Sequence, residues 1–228
     1  MTTVSTLTDR HVRTLRRNPC AVLLAVQLLG LLVYPFLGDQ PVGRAVFGLF
    51  GLLVLVLAVR TVRFTPGLTW VAVLLGIPVV VLTILEGVHP GNDPITAASG
   101  LAHAAFYAYT AWGLIRYMFH DDIVTTDELW ATGATFTVVA WAFAYLYAAV
   151  QVFWPGSFIA AVDSEAQRTW MDLLFLSVTT LTSTGLSDIV PVRPHARSFV
   201  MLEQIAGMLY LAMVVARVTA LTLRPKKG

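Results

Sequence analysis

The densest run of potential ligand atoms in the chain is Thr179-Thr180-Leu181-Thr182-Ser183-Thr184-Gly185-Leu186-Ser187-Asp188-Ile189-Val190-Pro191. Its chemistry is that of oxygen ligands for a cation. Read as an extended strand, Ser183, Thr184, Gly185, Leu186 and Ser187 can turn their carbonyls to one side, and Thr182 and Ser183 add hydroxyl oxygens at the inner end. Gly185 permits a positive φ where a side chain is penalised. Asp188 places a carboxylate at the outer mouth, where it concentrates cations. Pro191 ends the strand. A short helix from about Trp170 to Leu181 precedes it, and its C-terminal dipole end favours a positive charge.

The flanking elements say how such a stretch is held. The apolar run from Trp170 to Val178 is too brief to cross a bilayer, whereas Phe199 to Leu223 is long enough. A half-span, a polar strand and a full span together predict a re-entrant loop. Irregular backbone is tolerated at membrane depth only where it is buried in protein or lines water.

Composition agrees with a membrane setting. Of 228 residues, 57% are hydrophobic and 12% charged, and the mean hydropathy is +0.75. A soluble domain carries roughly a quarter charged residues. The net charge of +2 is too small to argue for nucleic acid, and Cys20, alone, excludes an intrachain disulfide or a cysteine metal site. HExxH, Walker, GxSxG and paired Cys/His patterns do not occur, so no enzyme chemistry is expected.

Spans of roughly 20 apolar residues are predicted at about 19–38, 43–63, 67–88, 94–118, 127–153 and 197–222. Pro78 predicts a kink in the third, and Thr125-Thr126-Asp127-Glu128 a capping box opening the fifth. With six crossings, Arg10, Arg13, Arg16, Arg17, Arg60, Arg63, Arg116, Arg224, Lys226 and Lys227 share one side, which predicts cytoplasmic termini. Trp154 to Arg168 then forms an external loop. The basic N-terminus is expected to be retained, and a chain closing at Gly228 to carry no cytoplasmic regulatory domain.

The central stretch resembles the pore signature of the tetrameric potassium channel superfamily, Thr-x-x-Thr-x-Gly-Tyr-Gly-Asp followed by Pro. Gly185, Asp188 and Pro191 match it, Ser183 stands at the usual filter threonine, and Thr179 and Thr182 lie beside the pattern's two threonine positions. The run Arg197 to Gly207 is similar to the family's inner helix, with Gly207 at its hinge glycine. The resemblance implies a selectivity filter at Thr182, Ser183, Thr184, Gly185, Leu186, Ser187 and Asp188. In it, potassium is held by carbonyl and hydroxyl oxygens of Thr182, Ser183, Thr184 and Gly185. It also implies filter support from Phe175, Leu176, Thr179 and Glu203, and a homotetramer in which each chain supplies a quarter of the pore.

Two positions depart from the signature. Leu186 replaces the tyrosine and Ser187 the second glycine. In the family the tyrosine bonds to an aromatic in the pore helix; here an apolar contact of Leu186 with Phe175-Leu176 is the expected substitute. A serine held in a left-handed conformation costs roughly 1–2 kcal/mol. The strand is therefore strained at Ser187, or its outer half takes another shape.

The remaining ionisable groups have bland and sharp readings. Glu203 either hydrogen-bonds the filter's support or sits at the span's outer edge paired with Arg197 or Arg193. The fourth span offers Arg116 and His103, not the arginine at every third position of a voltage sensor. His103 reads as a packed, hydrogen-bonded histidine, and His89 and His195 as external histidines able to titrate. Asp121, Asp122, Asp127 and Glu128 read as a solvated linker.

The expectation is an all-α membrane protein with six transmembrane helices and a re-entrant pore helix and filter between the fifth and sixth. Its parts are a cytoplasmic segment 1–18, a four-helix membrane domain 19–120 and a pore domain 121–228. The function expected is a passive potassium-conducting channel of the cell membrane, without a cofactor. Alternatives are a non-selective monovalent cation channel, a secondary transporter, or a membrane interaction protein without flux.

Overall fold

A computed structural model describes residues 18–37, 50, 51, 53, 54, 56–58, 69–120 and 125–222. Their helices are α1 (Pro19–Leu37), α2 (Thr69–Val88), α3 (Asp93–Met118), α4 (Thr126–Phe153), α5 (Trp170–Leu181) and α6 (Pro194–Thr222), with short strands β1 (Phe158–Ala160) and β2 (Ile189–Pro191). Five of the six expected spans thus coincide with helices to within about three residues. The expected second span, 43–63, lies largely outside the described residues. Pro78 falls inside α2, as Pro35 does inside α1.

Among the described residues four helices are long and apolar enough to cross a membrane, namely α1, α2, α4 and α6. α3 is long enough but more polar, carrying Asp93, Ser99, His103, Thr110 and Arg116. α5 has 12 residues, about 18 Å at 1.5 Å per residue, and cannot span a hydrocarbon core of roughly 30 Å.

The chain divides into two compact units, Met1–Val73 with Thr110–Thr137, and Leu74–Tyr109 with Val138–Gly228. In the first, the Asp127 carboxylate accepts from the Cys20 backbone N–H at 3.2 Å and from the Tyr117 hydroxyl at 3.2 Å. It therefore caps the start of α1, where helix N–H groups lack partners. Thr125 caps α4, its Oγ1 accepting from Glu128 N at 3.2 Å. Asp127 and Glu128 are buried, so these two do not belong to a solvated linker; the reason is the α1 terminus that Asp127 must satisfy. Asp121 and Asp122 lie outside the described residues. Deeper in, Thr137 donates to the Gln27 side chain at 2.7 Å.

The second unit is built around α5. Leu173 and Leu176 enter a core with Tyr147, Val150, Phe158, Ile189, Ala196 and Val200. β1 pairs antiparallel with β2, Phe158 opposite Pro191 and Ala160 opposite Ile189. The expected external loop is thus partly strand, a pairing that three residues on each side do not announce in sequence. His103, on α3, stacks on Tyr145 of α4 with centroids 4.2 Å apart. Its Nδ1 lies 2.8 Å from the Ser99 carbonyl, so that nitrogen carries the hydrogen. It is a packed, bonded histidine, as expected.

Candidate functional site: a carbonyl-bearing turn at the end of α5

α5 starts with a complete capping box. Thr169 Oγ1 accepts from Asp172 N at 3.2 Å, and the Asp172 carboxylate accepts from Thr169 N at 2.9 Å. The preceding residue is fixed too: Gln151 of α4 bonds both the N–H and the carbonyl of Arg168, at 3.1 and 2.9 Å. The buried Arg168 guanidinium gathers the carbonyls of Asp163 and Ala166, closing the loop before α5. The signal for this cap, Thr-x-x-Asp before an apolar run, was present in the sequence beside the better-known Thr125 pattern.

From its cap, α5 runs with Leu173, Leu174, Leu176, Ser177, Thr179, Thr180 and Leu181 buried. Its direction is set by two contacts with α6. Ser177 bonds Glu203, and Leu181 lies against Gly207. Each pair is one helical turn beyond the other on both helices, so α5 and α6 run the same way. The chain between them must therefore travel back along both.

That return path is residues 182–188, and the amide hydrogens of its first four residues are accounted for. Ser183 N donates to the Thr180 carbonyl at 3.0 Å, and Thr184 N and Gly185 N both donate to the Thr179 carbonyl, at 3.0 and 3.1 Å. Three consecutive N–H groups thus point at the C-terminal end of α5. No peptide here is cis, and in a trans peptide the carbonyl opposes the N–H. The carbonyls of Thr182, Ser183 and Thr184 consequently point away from α5, to the side where residues 182–186 are exposed.

Backbone angles match this arrangement. Ser183 has φ +58° and Gly185 +62°, every second residue. Gly185 supplies its positive φ freely, as expected. Ser183 does so against its Cβ, at a cost of about 1 kcal/mol, which no sequence signal indicated. Ser187 does not share the conformation, so the outer half takes another shape. Its Oγ accepts from Ile189 N at 3.0 Å in a local side-chain turn, which favours ordinary dihedrals there.

Hydroxyls reinforce the inner half. Thr182 Oγ1 donates to the Val178 carbonyl at 2.8 Å and lies 3.0 Å from Thr184 Oγ1, while Thr184 Oγ1 reaches the Thr179 carbonyl at 3.2 Å. Thr179 thus holds this segment through its backbone carbonyl, and its side chain is buried. Leu176 faces the core, and Leu186 is 78% exposed. Phe175 is exposed as well. Asp188 is exposed at the outer end, and Ile189 anchors β2 in the core.

Glu203 is fully buried. Its carboxyl is bonded by the Tyr147 hydroxyl of α4 and the Ser177 hydroxyl of α5. Arg197 instead donates from Nε to the Pro191 carbonyl at 3.1 Å. Of the two readings of Glu203, the ion pair gives way to the buried hydroxyl site, because Glu203 bonds Tyr147 and Ser177 and, among the described residues, neither Arg193 nor Arg197. Tyr147 and Ser177 were missed as site residues; lone hydroxyls in apolar runs carry no spacing signal. Gly207 is tight for a separate reason. A Cβ there would stand 3.0 Å from Leu181 Cα and 3.1 Å from its carbonyl carbon.

Residues 135–224 match the ion channel family. Over these residues, less than half of the chain, it is similar to that family. The match contains most of α4, all of α5 and α6, and the exposed-carbonyl turn between them. Members of this family are channels rather than enzymes. Among curated proteins, the chain is similar to the inward rectifier potassium channel Kirbac3.1 of Paramagnetospirillum magnetotacticum, 31% identical over 67 residues. That alignment covers 29% of this chain and 23% of the relative, so the chain spans under a quarter of the protein it matches. No solved structure matches the chain.

Proposed function

We propose that the chain is the subunit of a passive cation channel, most directly a potassium-conducting homotetramer, and that residues 182–188 are its filter. The observation that carries this reading is the row of three exposed carbonyls, from Thr182, Ser183 and Thr184, turned away from a helix that binds the matching N–H groups. Within this row Ser183 is held at φ +58°. Strain of this kind persists where the surroundings enforce it and is a pointer to function.

Four such rows around an axis replace a cation's hydration shell, and ions advance by repulsion between adjacent sites. Thr182, Ser183, Thr184 and Gly185 supply the inner ligands, with Leu186 at the next level and Asp188 drawing cations to the mouth. α5 aims its negative end at the same place. Phe175, Leu176, Thr179 and Glu203 support the turn, and α6 lines the inner vestibule with Gly207 as a candidate bend. Six crossings with cytoplasmic termini, in the cell membrane, and a pore domain over 121–228 complete the reading. Arg116 as the basic residue of α3 supports gating by something other than a charged sensor helix.

One observation favours a second reading. The absence of a positive φ at Ser187 removes the outer repeat of the carbonyl pattern, and a filter with fewer ordered sites passes sodium as well as potassium. Purified protein in liposomes separates these outcomes. Potassium flux with a bi-ionic reversal potential far from zero against sodium supports the selective channel, a potential near zero the non-selective one, and no flux across a range of pH and voltage contradicts both.

A further inference from the structure

The buried carboxyl of Glu203 sits in a site whose protons can be counted. Its partners are the Tyr147 hydroxyl on α4 and the Ser177 hydroxyl on α5. Ser177 Oγ also lies 2.9 Å from the Ala140 carbonyl of α4. A carbonyl only accepts, and a serine hydroxyl has one hydrogen. If that hydrogen goes to Ala140, the Ser177 oxygen meets Glu203 Oε1 with a lone pair, and the hydrogen between them must belong to Glu203. Tyr147 then donates to Oε2. Every polar atom is satisfied, in a chain running Tyr147, Glu203, Ser177, Ala140.

The alternative is a carboxylate receiving both hydroxyls. It would leave a full negative charge at 0% exposure, with two neutral donors and no basic side chain bonded to it among the described residues. Charges are buried when paired, and otherwise the group takes up a proton. The groups facing Glu203 are Tyr147 from α4 and Ser177 from α5, and neither supplies a positive charge. The chain already buries Glu203 by itself, so assembly with further copies can only deepen that burial.

We infer that Glu203 is an un-ionised carboxylic acid whose proton is a structural link joining α6 to α5 and, through Ser177, to α4. Its place explains why the link matters. Glu203 with Ser177 and Gly207 with Leu181 are consecutive rungs between the two helices. The second rung is the residue before Thr182, and the carbonyl that holds Thr184 and Gly185 comes from Thr179, between the rungs. Glu203 is thus a positioning residue for the exposed carbonyls. That role rests on the channel reading above; the protonation does not.

The test is infrared difference spectroscopy on the full chain in lipid at neutral pH, wild type minus Glu203→Gln. The expected spectrum loses the carbonyl stretch of a protonated carboxyl and changes little in the carboxylate bands. Tyr147→Phe and Ser177→Ala should each shift that stretch in frequency, because each removes one of its hydrogen bonds. Thermal stability gives a second readout. Glu203→Gln, which can donate to Ser177 and accept from Tyr147, should melt near wild type and well above Glu203→Ala. Loss of carboxylate bands alone in the Glu203→Gln spectrum overturns the inference, as does a protonated band that neither hydroxyl variant moves. A protein that shows the band but carries no flux would contradict the channel and leave this assignment standing.

Discussion

The inner and outer halves of the turn after α5 are made of similar residues and are held in different ways. Residues 182–185 are fastened by four backbone N–H bonds and several hydroxyl bonds to the last carbonyls of α5. Leu186 and Ser187 have no such attachment; Ser187 bonds only two residues ahead, and Ile189 then drops into the core. The lesson is that a row of outward carbonyls is created from behind. The helix end that captures the N–H groups decides where the oxygens face, and it reaches four residues, not seven.

The comparison can be broken most severely at Gly185. Gly185→Asp places a Cβ at φ +62° and an acid among the carbonyls; ion flux should fall below detection while the assembled protein persists, as read by flux assay and size-exclusion chromatography. Full flux in that variant removes the inner half from the conduction path. Next in size is Gly207→Ala, which presses on the Leu181 backbone. Overpacking of this kind costs about 1–3 kcal/mol, so thermal melting in detergent should drop by several degrees. An unchanged melt would mean that the second rung has slack.

Ser187→Gly sharpens the contrast instead. Freed of its side-chain turn, the outer half could adopt the left-handed conformation, and the potassium-to-sodium permeability ratio should rise several-fold. Reversal potentials measure it, and no change would show that the outer half does not contribute to selection. The smallest effect is expected from Ser183→Gly. Relief of the φ +58° conformation should raise stability by up to about 1 kcal/mol, seen as a slightly higher melting point.

Much of this is legible in the sequence. The bounds of α5 follow from where apolar residues begin and hydroxyls take over, and five of the expected segments coincide with helices. Gly185 at a positive φ follows from residue type. Other parts were not legible. Ser183 takes up a left-handed conformation because its own N–H is captured at Thr180 and those of Thr184 and Gly185 at Thr179, a geometric demand that serine's own preferences oppose. Asp127 looked like a solvent-facing acid until α1, more than a hundred residues earlier, was seen to need its cap. Glu203 was visible as an anomaly, but Tyr147 and Ser177 became partners only when α4, α5 and α6 met.

The most direct measurement is the position of a heavy monovalent cation, thallium or rubidium, in a structure of the assembled protein. The account predicts four chains about one axis, with cation density on that axis level with the carbonyls of Ser183 and Thr184. Strands facing lipid, or an assembly with no shared axis through these carbonyls, would contradict it.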